Sequence, residues 1–499
     1  MQMSSKKIFL YSFVLFHSLN SYSNTKKNVL FIVVDDLRTQ LGCYGDKNIL
    51  TPNIDSLASK GVVFNRAYCQ MALSGPSRMS FLTGYRPTTT KIFDIDTPIR
   101  KTMPNVVTLP QHFKNNGYIT AGLSKIFHQM GGMDIGCLDD SLSWSVPHWN
   151  PKHRPYNGPK WQRVVNHIND SLYRAGVDTT DWRKTARGGF YEAVNAPDSM
   201  LQDGATTVEA IKRLREYKNK PFFLAVGYVK PHLPLVAPKK YYDMYDLRDV
   251  PLAINPFRPI NAPDVALSNA TDWRWYIDSP KKGLPSLSTA REWVRAYMAC
   301  ISFIDAQIGM LIKELKALNL YDNTVIMIVG DNGFQMGEHG MWGCKHTNYE
   351  TSTRIPLIVV DPSNKQYIGH TDAIVELTDI YSSLVSICGL PKVVNEGKDF
   401  SEVLLGKRHH REFAMSFYNR KFDGCKYWGC AIRTKDYRFV QWTCISDSSK
   451  VFYELYDHRT DPNENYNLAT VEEYYSTVEE LKKILEKEKQ ASLFDFNRN

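Results

Sequence analysis

Residues 28–36 read Asn-Val-Leu-Phe-Ile-Val-Val-Asp-Asp. The apolar run Val29–Val34 has no polar residue at alternate positions, which is typical of a parallel strand that is buried on both faces. Two carboxylates, Asp35 and Asp36, follow it directly. Ligands of open α/β sheets bind beyond the carboxyl ends of the strands. We therefore expect these two side chains at a ligand-binding edge of a sheet.

Similar apolar runs alternate with helical patterns through most of the chain. Further strands are predicted at 119–123, 222–226, 325–329 and 356–360, and helices at 208–217, 288–318 and 379–388. Another helix is predicted between Thr51, as its cap, and Gly61, just past its end, with Pro52 as its first residue. This alternation predicts an α/β fold with a large central sheet, mixed but mostly parallel, that is flanked by helices.

The pattern changes near residue 391 to shorter, more polar strands at 431–442 and 451–456, followed by a charged helix at 471–489. We therefore predict a catalytic domain over 24–390 and a smaller C-terminal α+β subdomain over 391–499 with a short antiparallel sheet. Residues 1–23 combine two lysines, a short apolar run and a small-residue end, which predicts a signal peptide and a secreted or periplasmic location.

Composition sets broad limits on the function. The chain has 499 residues, 43% of them hydrophobic, and a formal charge of +9, so it can bury a large core. The positive charge favours encounters with anionic polymers, although an ordinarily basic protein explains it equally well. No run after the signal peptide is apolar for about 18 residues, so no membrane span is expected. Cys425, Cys430 and Cys444 could form one disulfide or remain buried thiols.

A second pair of oxygen-bearing side chains follows another predicted strand. Asp331 and Asn332 come directly after the strand at 325–329 and Gly330. Together with Asp35 and Asp36 they would form a four-residue cation site with oxygen ligands only. Such a ligand set fits Ca²⁺ or Mg²⁺ better than zinc.

Between these two pairs lies the segment Ser74-Gly-Pro-Ser-Arg78. Pro76 suits the first position of a helix, so Ser74 is predicted at a helix N-terminus, where backbone N–H groups favour an anion. Arg78, one turn along, could hold a nucleophile or an anion by charge-assisted hydrogen bonds. The alternative interpretation is a plain capped helix start.

In combination these segments resemble the type I sulfatase family of the alkaline-phosphatase superfamily, and most closely its iduronate-2-sulfatase-like branch. The similar segments follow the family's order and extend from about residue 28 to residue 470. They are 28–36, 51–55, 74–84, 125–128, 226–232, 330–333, 337–340, 454–457 and 461–464.

The resemblance implies an alkaline-phosphatase-like sandwich and a modified nucleophile. In that family a Cys or Ser at the position of Ser74 is oxidised by a formylglycine-generating maturation enzyme. One hydroxyl of the formylglycine hydrate attacks sulfur, and the other later expels sulfate by re-forming the carbonyl. The resemblance also implies Ca²⁺, in preference to Mg²⁺, as the cation. Its ligands would be Asp35, Asp36, Asp331 and Asn332.

The resemblance further assigns roles to five cationic or titratable side chains. Arg78 and Lys125 would stabilise the formylglycine, and His128 would be the base that triggers sulfate elimination. His232 and Lys345 would contact the sulfate, with His232 as the general acid that protonates the leaving oxygen.

Aromatic and cationic residues interleave between residues 144 and 163, which suggests a glycan-binding rim together with 273–276. The candidates are His148, Trp149, Arg154 and Trp161. A long loop packed by its own aromatics is the equal alternative.

The expected substrate is a sulfated polysaccharide or oligosaccharide, either ulvan or another uronate-containing algal glycan, or a glycosaminoglycan. No nucleic-acid partner is expected. A phosphoesterase on the same fold and an inactive glycan-binding protein are the alternative functions.

Overall fold

The computed structural model describes residues 26–128, 139–151, 156–179, 184–268, 270 and 272–491. The predicted signal peptide lies outside these ranges, and so does Arg154. The described residues form an α/β fold with one eight-stranded mixed sheet and a four-stranded antiparallel sheet near the C-terminus. Both features agree with the fold class that the sequence predicts.

The strands are β1 (Asn28–Val34), β2 (Val62–Tyr68), β3 (Ile119–Ser124), β4 (Tyr191–Val194), β5 (Phe222–Tyr228), β6 (Leu235–Pro238), β7 (Thr324–Gly330), β8 (Gln335–Met336), β9 (Trp342–Cys344), β10 (Arg354–Ile355), β11 (Leu357–Val360), β12 (Gly369–Glu376), β13 (Phe413–Phe422), β14 (Cys425–Thr434), β15 (Tyr437–Cys444) and β16 (Val451–Asp457). The α-helices are α1 (Pro52–Ala58), α2 (Ser74–Thr83), α3 (Pro87–Thr90), α4 (Ile99–Thr102), α5 (Leu109–Asn115), α6 (Pro159–Arg174), α7 (Gln202–Tyr217), α8 (Lys239–Tyr242), α9 (Leu287–Ala317), α10 (Glu350–Thr353), α11 (Asp379–Ile387) and α12 (Tyr475–Ala491).

The large sheet has the order β10-β2-β11-β7-β1-β5-β3, and β12 pairs with β2. Strands β7, β1, β5 and β3 are parallel, whereas β11 runs antiparallel to β7. Val34 at the end of β1 is paired with Gly330 at the end of β7. The residues that follow these two strands therefore leave the sheet side by side.

Each face of the large sheet carries its own hydrophobic core. Leu30, Ile32 and Val34 pack into one core together with residues of α7 and α9, while Val29, Phe31 and Val33 pack into the other with residues of α2, α5 and α11. This alternation explains why β1 is apolar at every position. Helix α9 contains an 18-residue window with a mean hydropathy of 1.3, and 72% of that window is buried in the fold.

Four local predictions differ from the structure. Helix α7 begins at Gln202 rather than near 208, because its first turn is fixed by the buried Asp203, which accepts the backbone N–H groups of Val229 and Lys230. Thr51 precedes α1 but makes no side-chain cap. Its hydroxyl instead accepts the N–H of Gly42. Pro76 is the third residue of α2, not the first.

The fourth difference lies near the C-terminus. Residues 431–442, predicted as one strand, belong to two strands, β14 and β15. The chain reverses direction between them, from Thr434 to Tyr437. A polar Lys-Asp pair forms that reversal, so the chain turns where the apolar pattern alone suggests continuity. A disulfide joins Cys425 and Cys444 across these strands, and Cys430 is a buried thiol.

Candidate active site

Ser74 is the first residue of α2 and lies at the carboxyl edge of the large sheet. Its side chain is buried, and its Oγ lies 3.0 Å from Asp35 Oδ1 and 3.3 Å from Asn332 Oδ1. The hydroxyl group can donate to either oxygen. A residue that the sequence places at a helix start therefore meets the residues that follow two different strands.

The carboxylates of Asp35, Asp36 and Asp331 form one buried cluster, with an oxygen of each within 4.8 Å of the others. Arg78, also buried, donates through Nη2 to Asp35 at 3.1 Å and through Nε to Asp331 at 2.9 Å. The guanidinium group therefore bridges the ends of β1 and β7. Its planar donor arrangement suits this task better than an ammonium group would.

Two lysines complete the charge balance of the cluster. Lys125, which follows β3, donates to Asp35 Oδ2 at 2.5 Å, and Lys345 donates to Asp36 Oδ1. Burial disfavours the charge on Lys345, but Asp36 and Asp35 more than offset this effect and raise its pKa. Burial lowers the pKa of Lys125 despite its contact with Asp35.

Burial and the neighbouring carboxylate of Asp35 raise the pKa of Asp331 to about 7, although Arg78 opposes this shift. By contrast, the pKa of Asp35 lies well below its usual range, because Lys125, His232 and Arg78 outweigh the effect of burial. The pKa of Asp331 is therefore much higher than that of Asp35, although both carboxyl groups accept from Arg78.

The backbone also contributes to the geometry of the cluster. Asp36 has a φ of +56°, in the left-handed region that non-glycine residues rarely adopt. Its N–H donates to Asp331 Oδ1 at 3.0 Å, and its carbonyl oxygen accepts from the Tyr297 hydroxyl at 2.7 Å. These bonds hold a strained turn that aims the Asp36 side chain into the cluster.

Two histidines lie at the mouth of this cluster. His232 Nδ1 donates to the Leu233 carbonyl oxygen at 2.7 Å, which leaves Nε2 4.0 Å from Asp36 Oδ2. His128 is buried, and its Nδ1 makes no hydrogen bond to the described residues. Burial and the charge of Lys125 hold the pKa of both histidines well below the usual range, which favours the neutral imidazole.

The structure thus brings together all ten residues that the sequence predicts for catalysis and cation binding. They are Asp35, Asp36, Ser74, Arg78, Lys125, His128, His232, Asp331, Asn332 and Lys345. Five of them face a cavity of about 120 Å³, and this cavity adjoins a second one of about 360 Å³. His128, His232 and Arg187 line both cavities.

Several cavity residues were not predicted from the sequence. Arg187 lies with its guanidinium 4.8 Å from the Trp275 ring centre, and both residues face the smaller cavity, as do Asp272 and His346. Trp275 falls inside the predicted 273–276 segment. His346 adjoins Lys345 in sequence, which is the one signal that could have identified it. Arg187 and Asp272 carry no motif.

The glycan rim fits the structure less well. His148 is half-buried as a residue, with its side chain largely covered, and it donates through Nε2 to the Ser124 carbonyl oxygen at 2.9 Å and lies 3.4 Å from Asp139. Trp149 bridges to Leu123 beside β3, and Trp161 packs against Gly189. These three side chains are absent from the described linings of both cavities, because they pack on the fold itself. Their predicted role in glycan binding stays a prediction.

The carboxylate cluster has the chemistry of a cation site. Asp36 Oδ2 is buried and has no hydrogen-bond donor among the described residues. It faces the same space as Asp35 and Asp331, so an oxygen-seeking divalent cation fits this donor set. A second group, Glu350, His458 and Glu464, also has ligand-type atoms close together. Its carboxylates, however, already accept from Arg433 and Arg438.

Comparison with known proteins agrees with this geometry. A family model described as Sulfatase matches residues 27–390, and one described as N-sulphoglucosamine sulphohydrolase, C-terminal, matches residues 337–491. The chain is 33% identical to iduronate 2-sulfatase of Homo sapiens, over 88% of this chain and 90% of that protein. It is 31% identical to a sulfatase of Formosa agariphila, over 93% and 87% of the two chains.

Solved structures show the same fold. A structure in complex with D-glucosamine-2-N,6-O-disulfate superposes with a TM-score of 0.72 at 22% identity, covering 95% of this chain and 100% of that one. A phosphonate monoester hydrolase of Agrobacterium radiobacter also superposes at 0.72, with 21% identity and coverage of 94% and 96%. The fold alone therefore does not select the ester, whereas the family match and the sequence identity do. This chain belongs to the sulfatase family and is a sulfuric ester hydrolase.

Proposed function

We propose that this enzyme removes sulfate from a uronate-containing sulfated glycan, with formylglycine at position 74 and Ca²⁺ at the carboxylate cluster. The position of Ser74 carries the proposal. Its Oγ lies within hydrogen-bonding distance of Asp35 and Asn332, two of the four proposed cation ligands. A nucleophile at this position and a cation held by those oxygens could act on the same sulfate group.

The proposed ligands are Asp35, Asp36, Asp331 and Asn332. When bound, a calcium ion would supply positive charge that stabilises the sulfate oxygens and the ionised nucleophile. Lys345 and Lys125 donate to the cluster carboxylates. With a cation on those carboxylates, both ammonium groups could turn towards the sulfate group.

Arg78 has a fixed role in this proposal. It is fully buried and bonded to Asp35, Asp331 and the Lys125 carbonyl oxygen. It therefore keeps the carboxylates in place under residue 74 rather than moving during turnover. Position 74 lies in the first turn of α2, where backbone N–H groups favour developing negative charge.

The histidines would move protons. The Nδ1–H of His232 is engaged by Leu233, so a proton taken up by the ring would reside at Nε2 and point into the cavity. The negative charge of a bound sulfate ester would favour that proton, which suits His232 as the general acid. Burial and the charge of Lys125 lower the pKa of His128, which favours the neutral imidazole that a base for the elimination step needs.

The modification is tested by mass spectrometry of the tryptic peptide that contains residue 74. After co-expression with a formylglycine-generating maturation enzyme, we expect the Ser74 peptide to lose two hydrogen atoms and the enzyme to release sulfate. Ser74→Ala should give neither result. An unmodified peptide in an enzyme that still releases sulfate would contradict the proposed nucleophile.

The substrate class is tested by sulfate release from defined glycans. Identity to an iduronate 2-sulfatase supports a uronate-containing substrate, either a glycosaminoglycan or an algal polymer such as ulvan. Equal rates of sulfate release from glycans whose uronates carry no sulfate and from glycans with 2-sulfated uronates would contradict the uronate assignment.

We also propose that residues 1–23 direct export to the periplasm or beyond, where such polymers occur.

A further inference from the structure

A basic cleft lies between the ends of α1 and α9 and the loop that follows β11. It has a volume of about 640 Å³, and four lysines line it. We call it the lysine cleft, after Lys60, Lys313, Lys316 and Lys365. All four side chains are exposed to solvent.

The lysine cleft lies at the end of the sheet opposite to the active site. Tyr321 and Asp322, which line the cleft, come just before β7, whereas Asp331 follows it. Strand β11 runs antiparallel to β7, so residues 362–368 leave the sheet at the same end as Tyr321. A seven-residue strand separates the two ends by roughly 20 Å. The cleft is therefore a separate site and not an extension of the catalytic cavity.

The charge of the cleft is not neutralised within the described parts of the chain. None of the four lysines forms an ion pair with a described carboxylate, and Asp322 is the one acidic residue among the described lining. Two nearby acids are already engaged, because Asp361 pairs with Lys27 and Glu314 pairs with Arg215. A concave surface with this balance attracts polyanions.

The remaining lining suits a sugar chain. Tyr321 is half-buried and lies with its ring centre 5.2 Å from Lys316 Nζ, so an aromatic face and a cation occur together. Ile312 and Ile368 add apolar surface beside them. Aromatic and apolar faces contact sugar rings, while ammonium groups contact sulfates as point charges.

We propose that the lysine cleft is a second, non-catalytic binding site for a sulfated polysaccharide. The choice of ligand rests on the proposed function, whereas the affinity for a polyanion rests on the cleft alone. Because the two sites lie at opposite ends of the sheet, only a long chain can occupy both. The cleft would hold the enzyme on the polymer while the active site acts on another part of it.

Binding to immobilised heparin tests the proposal in a Ser74→Ala background, which prevents turnover. The variant carries Lys60→Gln, Lys313→Gln and Lys365→Gln. The matched control carries Lys392→Gln, Lys426→Gln and Lys450→Gln, three exposed lysines elsewhere on the surface. Both lose three positive charges. We expect the cleft variant to bind about tenfold more weakly, with a shallower salt dependence, and the control to change less than twofold.

The cleft variant with Ser74 intact should hydrolyse a sulfated disaccharide as fast as the wild type, but show a raised KM on the polymer. Equal weakening in both triple variants, or equal binding of chemically desulfated heparin, would overturn the proposal. So would stronger binding of double-stranded DNA than of heparin. If no small sulfate ester is hydrolysed at all, the proposed function is wrong. The comparison of heparin binding by the two triple variants still tests whether the lysine cleft binds a sulfated polymer.

Discussion

The carboxyl group of Asp331 accepts from Arg78 and would also be a ligand of the proposed cation, so its replacement has two separable effects. We expect Asp331→Asn to lower sulfate release by about a thousandfold or more, because the proposed cation would lose a charged ligand where negative charge develops. The amide keeps one oxygen acceptor where the carboxylate offers two, to Arg78 and to the Asp36 N–H, so we also expect a loss of stability that does not depend on Ca²⁺. Sulfate release and thermal unfolding with and without CaCl₂ measure the two effects.

The control for Asp331→Asn is Asp322→Asn, an exposed carboxyl group at the other end of β7. That variant should retain both activity and the stabilisation by Ca²⁺. If Ca²⁺ raises the unfolding temperature of Asp331→Asn as much as that of the wild type, Asp331 is not a ligand.

At this scale the ten residues predicted from the sequence lie together in the structure, because each belongs to a local motif, while their catalytic roles stay a prediction. Asp35 and Asp331 directly follow apolar runs, and Ser74 opens a helix. Arg187 and Asp272 were not predicted, because a single charged residue outside any regular pattern gives no signal in the sequence. The rim candidate His148 stays a prediction, and its side chain contacts the Ser124 carbonyl oxygen and Asp139 rather than lining either cavity.

Strand β5 shows how an element positions a side chain that belongs to its neighbour. A Cβ added to Gly227 would lie 2.2 Å from the Lys125 carbonyl oxygen, which also accepts from Arg78. We expect Gly227→Ala to push Lys125 away, to lower turnover about tenfold or more, and to destabilise the fold by about 1–3 kcal/mol.

Steady-state kinetics and thermal unfolding test the Gly227→Ala prediction. Gly389→Ala serves as the control, because a Cβ there meets no atom within 4 Å but suffers backbone strain from a φ of +64°. It should lose stability and keep its turnover number. Equal turnover numbers in Gly227→Ala and the wild type would show that Lys125 tolerates displacement.

Helix α1 is held by a buried acid from α9. Asp305 accepts the N–H of Ile54 at 2.7 Å and the Asn53 side-chain amide at 2.7 Å, and burial raises its pKa to about 6 from 3.8. The folded state therefore binds more protons than the unfolded state between about pH 4 and pH 6. The contribution of Asp305 to the free energy of unfolding falls as the pH rises through this range.

Asp305→Asn removes this titration. The lost acceptor lowers the free energy of unfolding of the variant by the same amount at every pH. Between pH 4 and pH 7 the free energy of unfolding of the variant should therefore rise by roughly 1–3 kcal/mol relative to that of the wild type. Thermal unfolding at the two pH values measures this difference. A constant offset between the two proteins would contradict the raised pKa.

Charged side chains link the four-stranded sheet to residues 345–350, which lead into β10 of the large sheet. Arg438 on β15 donates to Glu464 and Glu350, and Arg420 on β13 donates to the His346 carbonyl oxygen beside Lys345. Glu350 opens α10, where Ser352 donates to the Lys345 carbonyl oxygen at 2.8 Å. The C-terminal sheet thus supports the segment that carries Lys345.

We expect Arg438→Ala to destabilise the protein by about 2–4 kcal/mol, because the buried Glu464 and the half-buried Glu350 lose one of their cationic partners, while His458 and Arg433 remain beside them. Activity should fall with it. Arg459→Ala removes an exposed arginine just after β16 and should cost less than about 1 kcal/mol. Chemical denaturation of both variants gives the comparison, and similar costs would show that the inter-sheet network contributes little.

The sequence by itself determined the elements and the residue types at their ends, since apolar periodicity and helix-start chemistry are local properties. It predicted β1, β3, β5 and β7, and the polar residues that follow β1 and β7. Only the tertiary structure decided which strands are neighbours, and with them the bonds of Lys125 to Asp35 and of Lys345 to Asp36. Pairing of strands far apart in the chain depends on the packing of the whole sheet, and no short segment encodes it.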